Sequence, residues 1–375
     1  MKILEITNVD FSLTHFLLPL MRTLRDEGHD VVGVCADGPL LKMPREEGFR
    51  IETLPFARSF SPIAQARAFW ALLRLIRREK PDIVHAHMPI SGILARVAAK
   101  LCGVPRIAYT CHGFLFNQPG SHARRALALV LEKLCGHLTD VFLTVSQEEA
   151  EDARRLHIHA NPIAIGNGRD SRRFKPDSEA RRRIRTELGT PESTPVIIVV
   201  SRLVRHKGYP ELLEAMQAVP HAELWVVGER LPSDHGNMLD DCFDSAHAAL
   251  GPRLKCLGYR TDIPALLAAA DIFTLPSHFE GLPMSIIEAM LTALPIVSTD
   301  ISGPREQIVQ NETGLLVPAG TVAPLAAALR TLSQNPALRS QMGSAGRQRA
   351  LMFYEEHKIT EHTARLLTGT MTKSA

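Results

Sequence analysis

The sequence predicts an α/β protein with two doubly wound, Rossmann-like domains that face a central cleft. Three observations support this prediction: a length of 375 residues, two successive series of short apolar strands that alternate with longer helices, and one interruption between the two series. A single hydrophobic core rarely grows beyond about 250 to 300 residues, so a chain of this length is expected to form more than one domain.

Composition places the chain among ordinary globular proteins. Apolar residues make up 45% and charged residues 22% of the sequence, which gives no support to disordered, collagen-like or coiled-coil classes. The net charge of +3 is too small for a surface that wraps nucleic acid, so no nucleic-acid partner is expected. Residues 1–173 carry a net charge of +5 and residues 174–375 one of −2, an asymmetry compatible with an anionic partner of the first half.

Cysteine usage and the first residues predict a cytoplasmic protein. The six cysteines are scattered without a Cys-x2-Cys pair, and Met1–Glu5 lacks the apolar core of a signal peptide. No stretch approaches the roughly 20 uninterrupted apolar residues of a membrane span. We therefore expect a protein that could touch the inner face of the cytoplasmic membrane without crossing it.

The first strand–helix series begins with the apolar strand Lys2–Ile6 and a helix over 14–27, which ends before Gly28. Further strands are predicted at 30–34, 50–54, 83–85, 106–110 and 141–145, and further helices at 62–78, 91–101, 121–137 and 147–156. Such alternation indicates right-handed βαβ crossovers and a mostly parallel sheet that is covered on both faces.

The second series begins with the strand Val196–Val200 and ends with a strand over 314–317. The Pro-, Gly- and Ser-rich segment 174–195, which includes a charged helix over 179–187, predicts a linker. A long charged helix is predicted over 345–367. The predicted domains are therefore 1–175 and 176–345, with a helical tail over 346–375 that could pack back on the first domain.

Several common nucleotide and metal motifs do not fit. Gly166 and Gly168 imitate the start of a dinucleotide-binding Gly-x-Gly-x-x-Gly, but Ser171 replaces the third glycine and no apolar helix follows. The sequence contains no Gly-x4-Gly-Lys-Ser/Thr loop, no His-Glu-x-x-His helix and no Asp-x-Asp triplet. These absences remove the signatures of a nucleoside triphosphatase, a zinc protease and a metal-bridged sugar transferase.

A basic strand-to-helix turn in the second half suits a diphosphate. The strand Val196–Val200 leads to Arg202, and Lys207 and Gly208 follow just before a helix. Two cations and the exposed amides of a helix start together match the charge of a diphosphate. A single Arg–Lys pair is also common in solvated loops, so this turn needs a second observation.

Two carboxylates supply that observation. Glu280 lies in the loop after the strand 272–275, Pro283 suits a first helical turn, and Glu288 lies inside the following helix. Carboxylates accept hydrogen bonds from hydroxyls, so a pair at different depths of one crevice suits a sugar joined to a ribose.

Arg202-Leu-x3-Lys207-Gly208 and Glu280-x7-Glu288 resemble the signature of retaining glycosyltransferase family 4, which has the two-Rossmann GT-B fold. Ordered matches extend through most of the chain: Asp82-Ile-Val-His-Ala-His87, His112-Gly-Phe114, Thr144-Val-Ser146, Asn167-Gly168, Val227-Gly228, Leu257-Gly258-Tyr259, Pro276-Ser277, Gly303-Pro-Arg-Glu306 and Thr313-Gly-Leu-Leu-Val-Pro318. The overall pattern resembles enzymes that build bacterial capsule, exopolysaccharide or O-antigen units.

The resemblance implies a role for each matching residue. Domain 176–345 would bind the nucleotide sugar, and domain 1–175 would be the acceptor side. Arg202 and Lys207 would bind the donor diphosphate, Glu280 would hold sugar hydroxyls and Glu288 would accept from the ribose. The resemblance places the backbone beside the sugar and phosphate at Gly281, Leu282, Pro283, Met284 and Ser285, of which all but the proline have an N–H group to donate. It places Gly258, Tyr259 and Arg260 beside the base.

The same resemblance implies that His112 faces the reacting sugar across the cleft and that transfer retains the anomeric configuration. Arg202 and Lys207 would do the work of a metal, so no cofactor and no protein-bound metal are expected. The acceptor, a glycan or a polyprenyl-diphosphate-linked molecule, would meet the first domain. Its candidate contacts are Asn8, Asp10, His15, His87 and Phe114. The family's usual Gly-Gly loop after the first strand is replaced by Asn8–Thr14.

Two predicted helices of the first domain are basic as well as apolar. The helix 62–78 carries Trp70 among four arginines, and the helix 121–137 carries Arg124, Arg125 and Lys133. Such helices can lie on an anionic bilayer, although an apolar stripe that packs on the sheet would explain the same pattern.

Three functions remain open from the sequence: a nucleotide-sugar-dependent glycosyltransferase, a GT-B enzyme of another type such as an epimerase or phosphorylase, and a non-catalytic subunit of a polysaccharide assembly complex. The intact set Arg202, Lys207, Glu280 and Glu288 favours the first. A phosphorylase would need a pyridoxal-phosphate lysine motif that is not recognised in the sequence. UDP is the expected nucleotide, and GDP is the alternative.

Overall fold

The computed structural model describes residues 1–56, 61–117, 121–230 and 239–369. The chain divides into two units. Unit 1 consists of Met1–Asn167 and Glu356–Ala375, the latter described to residue 369, and unit 2 consists of Gly168–Glu355. Each unit has its own parallel sheet.

Unit 1 is built on a seven-stranded parallel sheet with the strand order β3-β2-β1-β4-β5-β6-β7. Its strands are β1 Lys2–Ile6, β2 Asp30–Cys35, β3 Arg50–Thr53, β4 Ile83–His87, β5 Arg106–Cys111, β6 Val141–Thr144 and β7 Ile163–Ala164. The helices between them are α1 Asp10–Ser12, α2 Leu18–Asp26, α3 Lys42–Glu46, α4 Pro62–Glu79, α5 Pro89–Leu101, α6 His122–Gly136 and α7 Gln147–Arg155.

Unit 2 is built on a six-stranded parallel sheet with the strand order β10-β9-β8-β11-β12-β13. Its strands are β8 Val196–Val200, β9 Glu223–Val227, β10 Leu254–Gly258, β11 Ile272–Leu275, β12 Ile296–Thr299 and β13 Gly314–Val317. Its helices are α8 Ser178–Glu187, α9 Tyr209–Ala215, α10 Asp240–Leu250, α11 Ile263–Ala269, α12 Met284–Leu291, α13 Pro304–Gln307, α14 Val322–Gln334 and α15 Pro336–Phe353.

Apolar residues cover both faces of each sheet. In β1, Leu4 and Ile6 pack in a core with residues of α4 and α5, whereas Ile3 packs on the opposite face with residues of α2. Alternate residues of a strand point to opposite faces, so β1 has buried apolar residues on both sides, as is typical of a central parallel strand. The predicted doubly wound α/β class is thereby confirmed for each unit.

The segment 174–195, predicted to be a linker, belongs to unit 2. Arg185 of α8 is only 1% exposed, and its guanidinium donates to the Asp271 carboxylate at 2.6 Å and to the carbonyl oxygen of Ala269 at 3.0 Å. The prediction of a linker is wrong because Arg181 and Arg185 of α8 form ion pairs with Asp271, in the turn between α11 and β11, and fix the helix to unit 2.

The C-terminal helix predicted over 345–367 is two helices, α15 and α16 Glu356–Thr368. Between them, the carbonyl oxygen of Tyr354 accepts a hydrogen bond from the amide of Arg169 at 3.0 Å, and Glu355 pairs with Arg169 in a parallel bridge. Helix α16 then packs on α2 of unit 1, where the Thr23 and Thr360 hydroxyls lie 2.9 Å apart. Thus the predicted tail 346–375 is divided between the two units.

The unit boundaries at 167/168 and 355/356 differ from the predicted boundaries at 175/176 and 345/346. Phe174 is buried in unit 2, and its carbonyl oxygen accepts a hydrogen bond from Arg347 of α15. Among the described helices, none is long and apolar enough to cross a membrane.

Candidate active site

Two loops of unit 2 meet because the strands before them are neighbours. Strands β8 and β11 pair in parallel, so the loops at their carboxyl ends lie side by side. Gly208 ends the first loop with a φ of +77°, and a Cβ atom on it would lie 2.0 Å from the carbonyl oxygen of Pro276 in the second loop. Only glycine permits this approach.

Lys207 and Glu280 form an ion pair between these two loops. The Lys207 Nζ atom lies 2.6 Å from Glu280 Oε1, and the Ser277 hydroxyl donates to the same oxygen at 2.6 Å. The two charged side chains are 15% and 10% exposed. These hydrogen bonds occupy Oε1 and leave Oε2 without a bond to any other residue that the structure describes.

Further contacts fix the same loops. The amide of His278 donates to the carbonyl oxygen of His206 at 2.8 Å. The rings of His206 and Phe279 stack at a centroid distance of 4.6 Å and an interplanar angle of 22°. Ser277, His206 and Phe279 were not predicted as site residues, because the sequence does not indicate which loop residues face one another.

The start of α12 is supported from behind by α13 and its preceding turn. A Cβ atom on Gly303 would lie 1.9 Å from the carbonyl oxygen of Gly281, and the Gln307 side-chain amide donates to the carbonyl oxygen of Pro283 at 3.0 Å. Pro283 is the N-cap residue of α12. The amides of Met284 and Ser285 therefore lie in the first helical turn, where unpaired N–H groups attract anions.

Glu288 is held by an arginine that the sequence did not single out. Arg169 Nε donates to Glu288 Oε1 at 2.7 Å, and the side chains are 14% and 12% exposed. Glu288 is therefore not an exposed position of its helix, which is a common place for a glutamate. Arg169 lies 119 positions earlier in the chain, so nothing local indicated the pair.

The other predicted donor-side residues lie at the ends of β9 and β10. The amide of Gly228 donates to the carbonyl oxygen of Gly258 at 2.8 Å, and Tyr259 is 52% exposed. Arg260 forms ion pairs with Asp262 at 2.8 Å and Glu187 at 3.0 Å. Hydrogen bonds to both carboxylates raise the pKa of Arg260. These ion pairs hold the Arg260 guanidinium between two carboxylates.

Unit 1 places a buried polar cluster on one face of its sheet. Glu5 of β1 pairs in register with His85 of β4, and His87 and Thr110 follow on the same face of β4 and β5. Glu5 and His85 are fully buried and His87 is 2% exposed. His112, one residue beyond β5, lies with its Nε2 atom 3.1 Å from His87 Nδ1.

The cluster is joined by hydrogen bonds throughout. The Glu5 carboxylate contacts His85 Nδ1 at 3.0 Å and His87 Nε2 at 2.9 Å, and His85 Nε2 lies 2.8 Å from the Thr110 hydroxyl. The ligand atoms of Glu5, His85 and His87 lie within 4.8 Å of one another, close enough for a metal site. All four ring nitrogens and both carboxylate oxygens nevertheless have hydrogen-bonding partners, an arrangement that needs no ion.

Burial and these bonds determine the charges of the cluster. Burial alone would raise the pKa of Glu5, but the charges and hydrogen bonds of His85 and His87 lower it to about 2. Burial, reinforced by His85, lowers the pKa of His87 to about 4. Burial and the two neighbouring histidines hold the pKa of His112 well below its usual value. At neutral pH, Glu5 is therefore ionised and His87 and His112 are neutral.

Two of the predicted acceptor-side residues, Phe114 and His87, are buried in unit 1, whereas Asn8, Asp10 and His15 are partly exposed. Phe114 is 2% exposed and stacks on Phe116 at 4.7 Å in the core, so the prediction that it contacts an acceptor is replaced by a packing role. Asn8 accepts from the amide of Ser91 at 3.0 Å. Asp10 accepts from the amide of Leu40 at 3.2 Å. The His15 ring packs on Phe11 at 4.5 Å.

Comparison with known proteins shows the family of this chain. A family model described as glycosyl transferases group 1 matches residues 180–349, and a model described as glycosyl transferase 4-like domain matches residues 14–168. An Escherichia coli relative, UDP-Gal:alpha-D-GlcNAc-diphosphoundecaprenol alpha-1,3-galactosyltransferase, is 31% identical over 303 residues, which cover 77% of this chain and 76% of the relative. The chain belongs to the group 1 glycosyltransferases.

Other relatives of this glycosyltransferase match nearly its whole length. The putative glycosyltransferase EpsD of Bacillus subtilis is 29% identical over 371 residues, covering 96% of this chain and 94% of the relative. The N,N'-diacetylbacillosaminyl-diphospho-undecaprenol alpha-1,3-N-acetylgalactosaminyltransferase of Campylobacter jejuni is 25% identical over 377 residues and covers 98% of both chains.

Solved structures show that the glycosyltransferase has the GT-B fold that the sequence predicts. HepE of Anabaena, solved in complex with UDP and glucose, matches with a TM-score of 0.84 and 21% identity, over 99% of this chain and 100% of that chain. Sucrose-phosphate synthase of Thermosynechococcus elongatus matches with a TM-score of 0.84 and 20% identity, over 98% of both chains.

Proposed function

We propose that this glycosyltransferase transfers a sugar from a UDP-sugar, with retention of configuration, to a hydroxyl of a glycan or polyprenyl-diphosphate-linked acceptor in cell-surface polysaccharide synthesis. The observation that carries the proposal is the Lys207–Glu280 pair, which joins the loops after β8 and β11 at 2.6 Å. The name of the Escherichia coli relative supports a UDP-sugar donor and a lipid-diphosphate acceptor.

The donor diphosphate binds where positive charge is concentrated. Arg202 and Lys207 follow β8, and the first amides of α12 follow the loop that Lys207 contacts. Fixed cations and helix amides stabilise the charge that grows on a leaving diphosphate, because they need no reorganisation as the bond breaks. Under this proposal no protein-bound metal is required.

Glu280 and Glu288 hold the hydroxyls on either side of the diphosphate. Lys207 and Ser277 orient Glu280 through Oε1, so that Oε2 accepts from the sugar. Arg169 orients Glu288 through Oε1, so that its other oxygen accepts from the ribose. The turn at Gly258 and Tyr259 receives the base through backbone groups.

In the proposed reaction, the bond between the sugar C1 atom and the diphosphate oxygen breaks, and its electron pair moves to the diphosphate. The acceptor oxygen forms its bond to C1 on the same face of the ring, which retains the configuration. The acceptor proton moves to an oxygen of the leaving diphosphate, so the products are the glycoside and UDP.

Ligand binding tests the donor assignment. In a panel of UDP-galactose, UDP-glucose, UDP-N-acetylglucosamine, UDP-N-acetylgalactosamine and GDP-mannose, we expect a UDP-sugar to raise the melting temperature most, because a ligand that binds only the native state stabilises it. With that donor, UDP release measured by a coupled assay should require a polyprenyl-diphosphate-linked acceptor. Acceptor-independent conversion of the donor would instead indicate an epimerase, and binding without turnover a non-catalytic subunit. NMR of the product decides whether the configuration is retained.

An exposed face of unit 1 suits the membrane that carries such an acceptor. Helices α4 and α6 both pack on α5. On α4, Trp70 is 58% exposed and lies near the exposed Arg74 and Arg77. On α6, Leu127 is 59% and Leu134 62% exposed. We infer that this face, with its basic and apolar side chains, lies on the anionic cytoplasmic leaflet.

Vesicle sedimentation tests the membrane proposal. The chain should sediment with vesicles that contain anionic lipid at low salt, and less so at high salt, because salt screens the attraction. The double substitution Arg74→Glu and Arg77→Glu should abolish sedimentation. Arg182→Glu and Arg183→Glu on α8 change the net charge equally and should leave it unchanged. Equal loss in both variants, or no sedimentation of the unmodified chain, would contradict the proposal.

A further inference from the structure

A line of hydrogen-bonded ionisable groups runs from β1 through β4 to His112, one residue beyond β5. Glu5 of β1 contacts His87 Nε2 of β4 at 2.9 Å, and His87 Nδ1 contacts His112 Nε2 at 3.1 Å. Glu5 is fully buried and His87 is 2% exposed. The residue His112 is partly exposed, and its Nδ1 atom makes no hydrogen bond to any described residue.

The hydrogen bonds determine where each proton lies. An ionised carboxylate can only accept, so His87 must carry its proton on Nε2 and donate it to Glu5. Neutral His87 then has no proton on Nδ1, which must accept from His112 Nε2. In a neutral histidine, the bond made by one ring nitrogen decides the state of the other. The lowered pKa values of Glu5 and His87 support this assignment.

We propose that Glu5 and His87 are positioning residues that hold His112 in the neutral form protonated on Nε2, which leaves Nδ1 as a hydrogen-bond acceptor for a hydroxyl of a substrate. The contact with substrate rests on the proposed function, whereas the form of the ring rests on the geometry of unit 1. His112 in this form cannot act as an acid toward the leaving diphosphate, since its only ring proton is given to His87.

The form of His112 is measured directly by long-range proton–nitrogen NMR of protein labelled with nitrogen-15 in histidine. The resonances are assigned by their loss in His112→Gln. At neutral pH without nucleotide, we expect His112 to show a protonated Nε2 and an unprotonated Nδ1. A proton on Nδ1, or on both nitrogens, would overturn the proposal.

Three variants separate positioning from general support of the fold. In His87→Leu the acceptor for His112 Nε2 is lost, and in Glu5→Gln the fixed acceptor becomes an amide that can also donate. Both should give a mixture of the two neutral forms of His112. His85→Gln also removes a bond to Glu5 but lies off the path to His112, and it should leave the ring form unchanged. If the His87→Leu variant does not fold, the ring form of His112 in Glu5→Gln tests the proposal.

The proposal would be overturned if His112 kept the ring form of the unmodified protein in both Glu5→Gln and His87→Leu. It would also be overturned if His85→Gln changed the ring form of His112 as much as those two variants do. A bound metal would also overturn the proposal, because the nitrogens of His85 and His87 would then be its ligands. The sign would be one zinc ion per chain whose removal by a chelator shifts the His85 and His87 resonances.

Activity separates this inference from the proposed function. Adding the UDP-sugar selected by the melting panel should shift His112 Nδ1, whereas UDP alone should not. In Glu5→Gln, kcat/KM should fall about ten-fold, the loss of about one hydrogen bond, with little change in UDP affinity. If His112 shows the expected ring form but the enzyme transfers no sugar, the proposed function is rejected and the positioning by Glu5 and His87 is not. If the enzyme transfers sugar but His112 is protonated on Nδ1, only the positioning is rejected.

Discussion

Lys207→Ala is expected to lower kcat for sugar transfer by about 10²- to 10³-fold, the usual cost of removing one group that stabilises developing negative charge. Lys207 is 15% exposed and lies in a short 3₁₀ turn, so the change removes a charge without opening the core. Steady-state kinetics with the selected UDP-sugar measures the loss. Circular dichroism and urea unfolding should show a folded protein that is less stable by about 1 kcal/mol, since the ion pair is only partly shielded from water.

Arg205→Ala is the matched control for Lys207. Arg205 lies in the same 3₁₀ turn and is exposed, so its replacement removes the same charge from the same loop. We expect a change in kcat within about two-fold, as for most exposed positions. Comparable losses in both variants would mean that the loop acts through its overall charge. A Lys207→Ala enzyme of normal rate would reject the site.

Glu280→Ala is expected to lower kcat/KM about 10³-fold, because it removes the acceptor for the sugar and leaves Lys207 without its partner. Glu280→Gln should lose only about ten-fold, since the amide oxygen can still accept from Lys207 and Ser277. The graded response distinguishes a sugar-binding carboxylate from a simple counter-ion. Initial rates across a range of donor concentrations measure it.

Glu211→Ala is the control for Glu280. The Glu211 carboxylate pairs with His278 Nε2 at 3.0 Å, so it is a second acid that holds the loop after β11. Its removal should change kcat/KM by about two-fold. If Glu211→Ala and Glu280→Ala were equally inactive, loop support and not sugar binding would explain both. Equal rates in Glu280→Ala and the unmodified enzyme would contradict the assignment outright.

Local patterns predicted the α/β class and most strands, because a buried parallel strand needs a short apolar run wherever it lies. They failed where a charged or Pro-rich segment is fixed by distant partners. The pattern of α8 predicts part of a solvated linker, yet Arg185 is 1% exposed and donates a hydrogen bond to Asp271. The pattern over 345–367 predicts one continuous helix, yet the helix is interrupted at Tyr354 and Glu355, which pair with Arg169.

The candidate site divides in the same way. Lys207, Glu280 and Glu288 were predicted because they lie at the ends of recognisable strands or in the helix that follows one. Their partners were found only in the structure: Ser277 for Glu280 and Arg169 for Glu288. In unit 1, the strand β4 shows His85 and His87 on one face, an alternation that could have indicated a polar cluster. Glu5 lies 80 positions from His85, so its place in the cluster could not be predicted.

The sequence by itself determined the two parallel-sheet units and the charged residues in the loops that follow their strands. It did so because strand and helix periodicity and the loops after strands are local properties of the chain. Only the tertiary structure decided which charges meet, which carboxylate oxygens stay available and which histidines of unit 1 contact one another. Those properties depend on strand order and register, which bring together residues that are far apart in the chain.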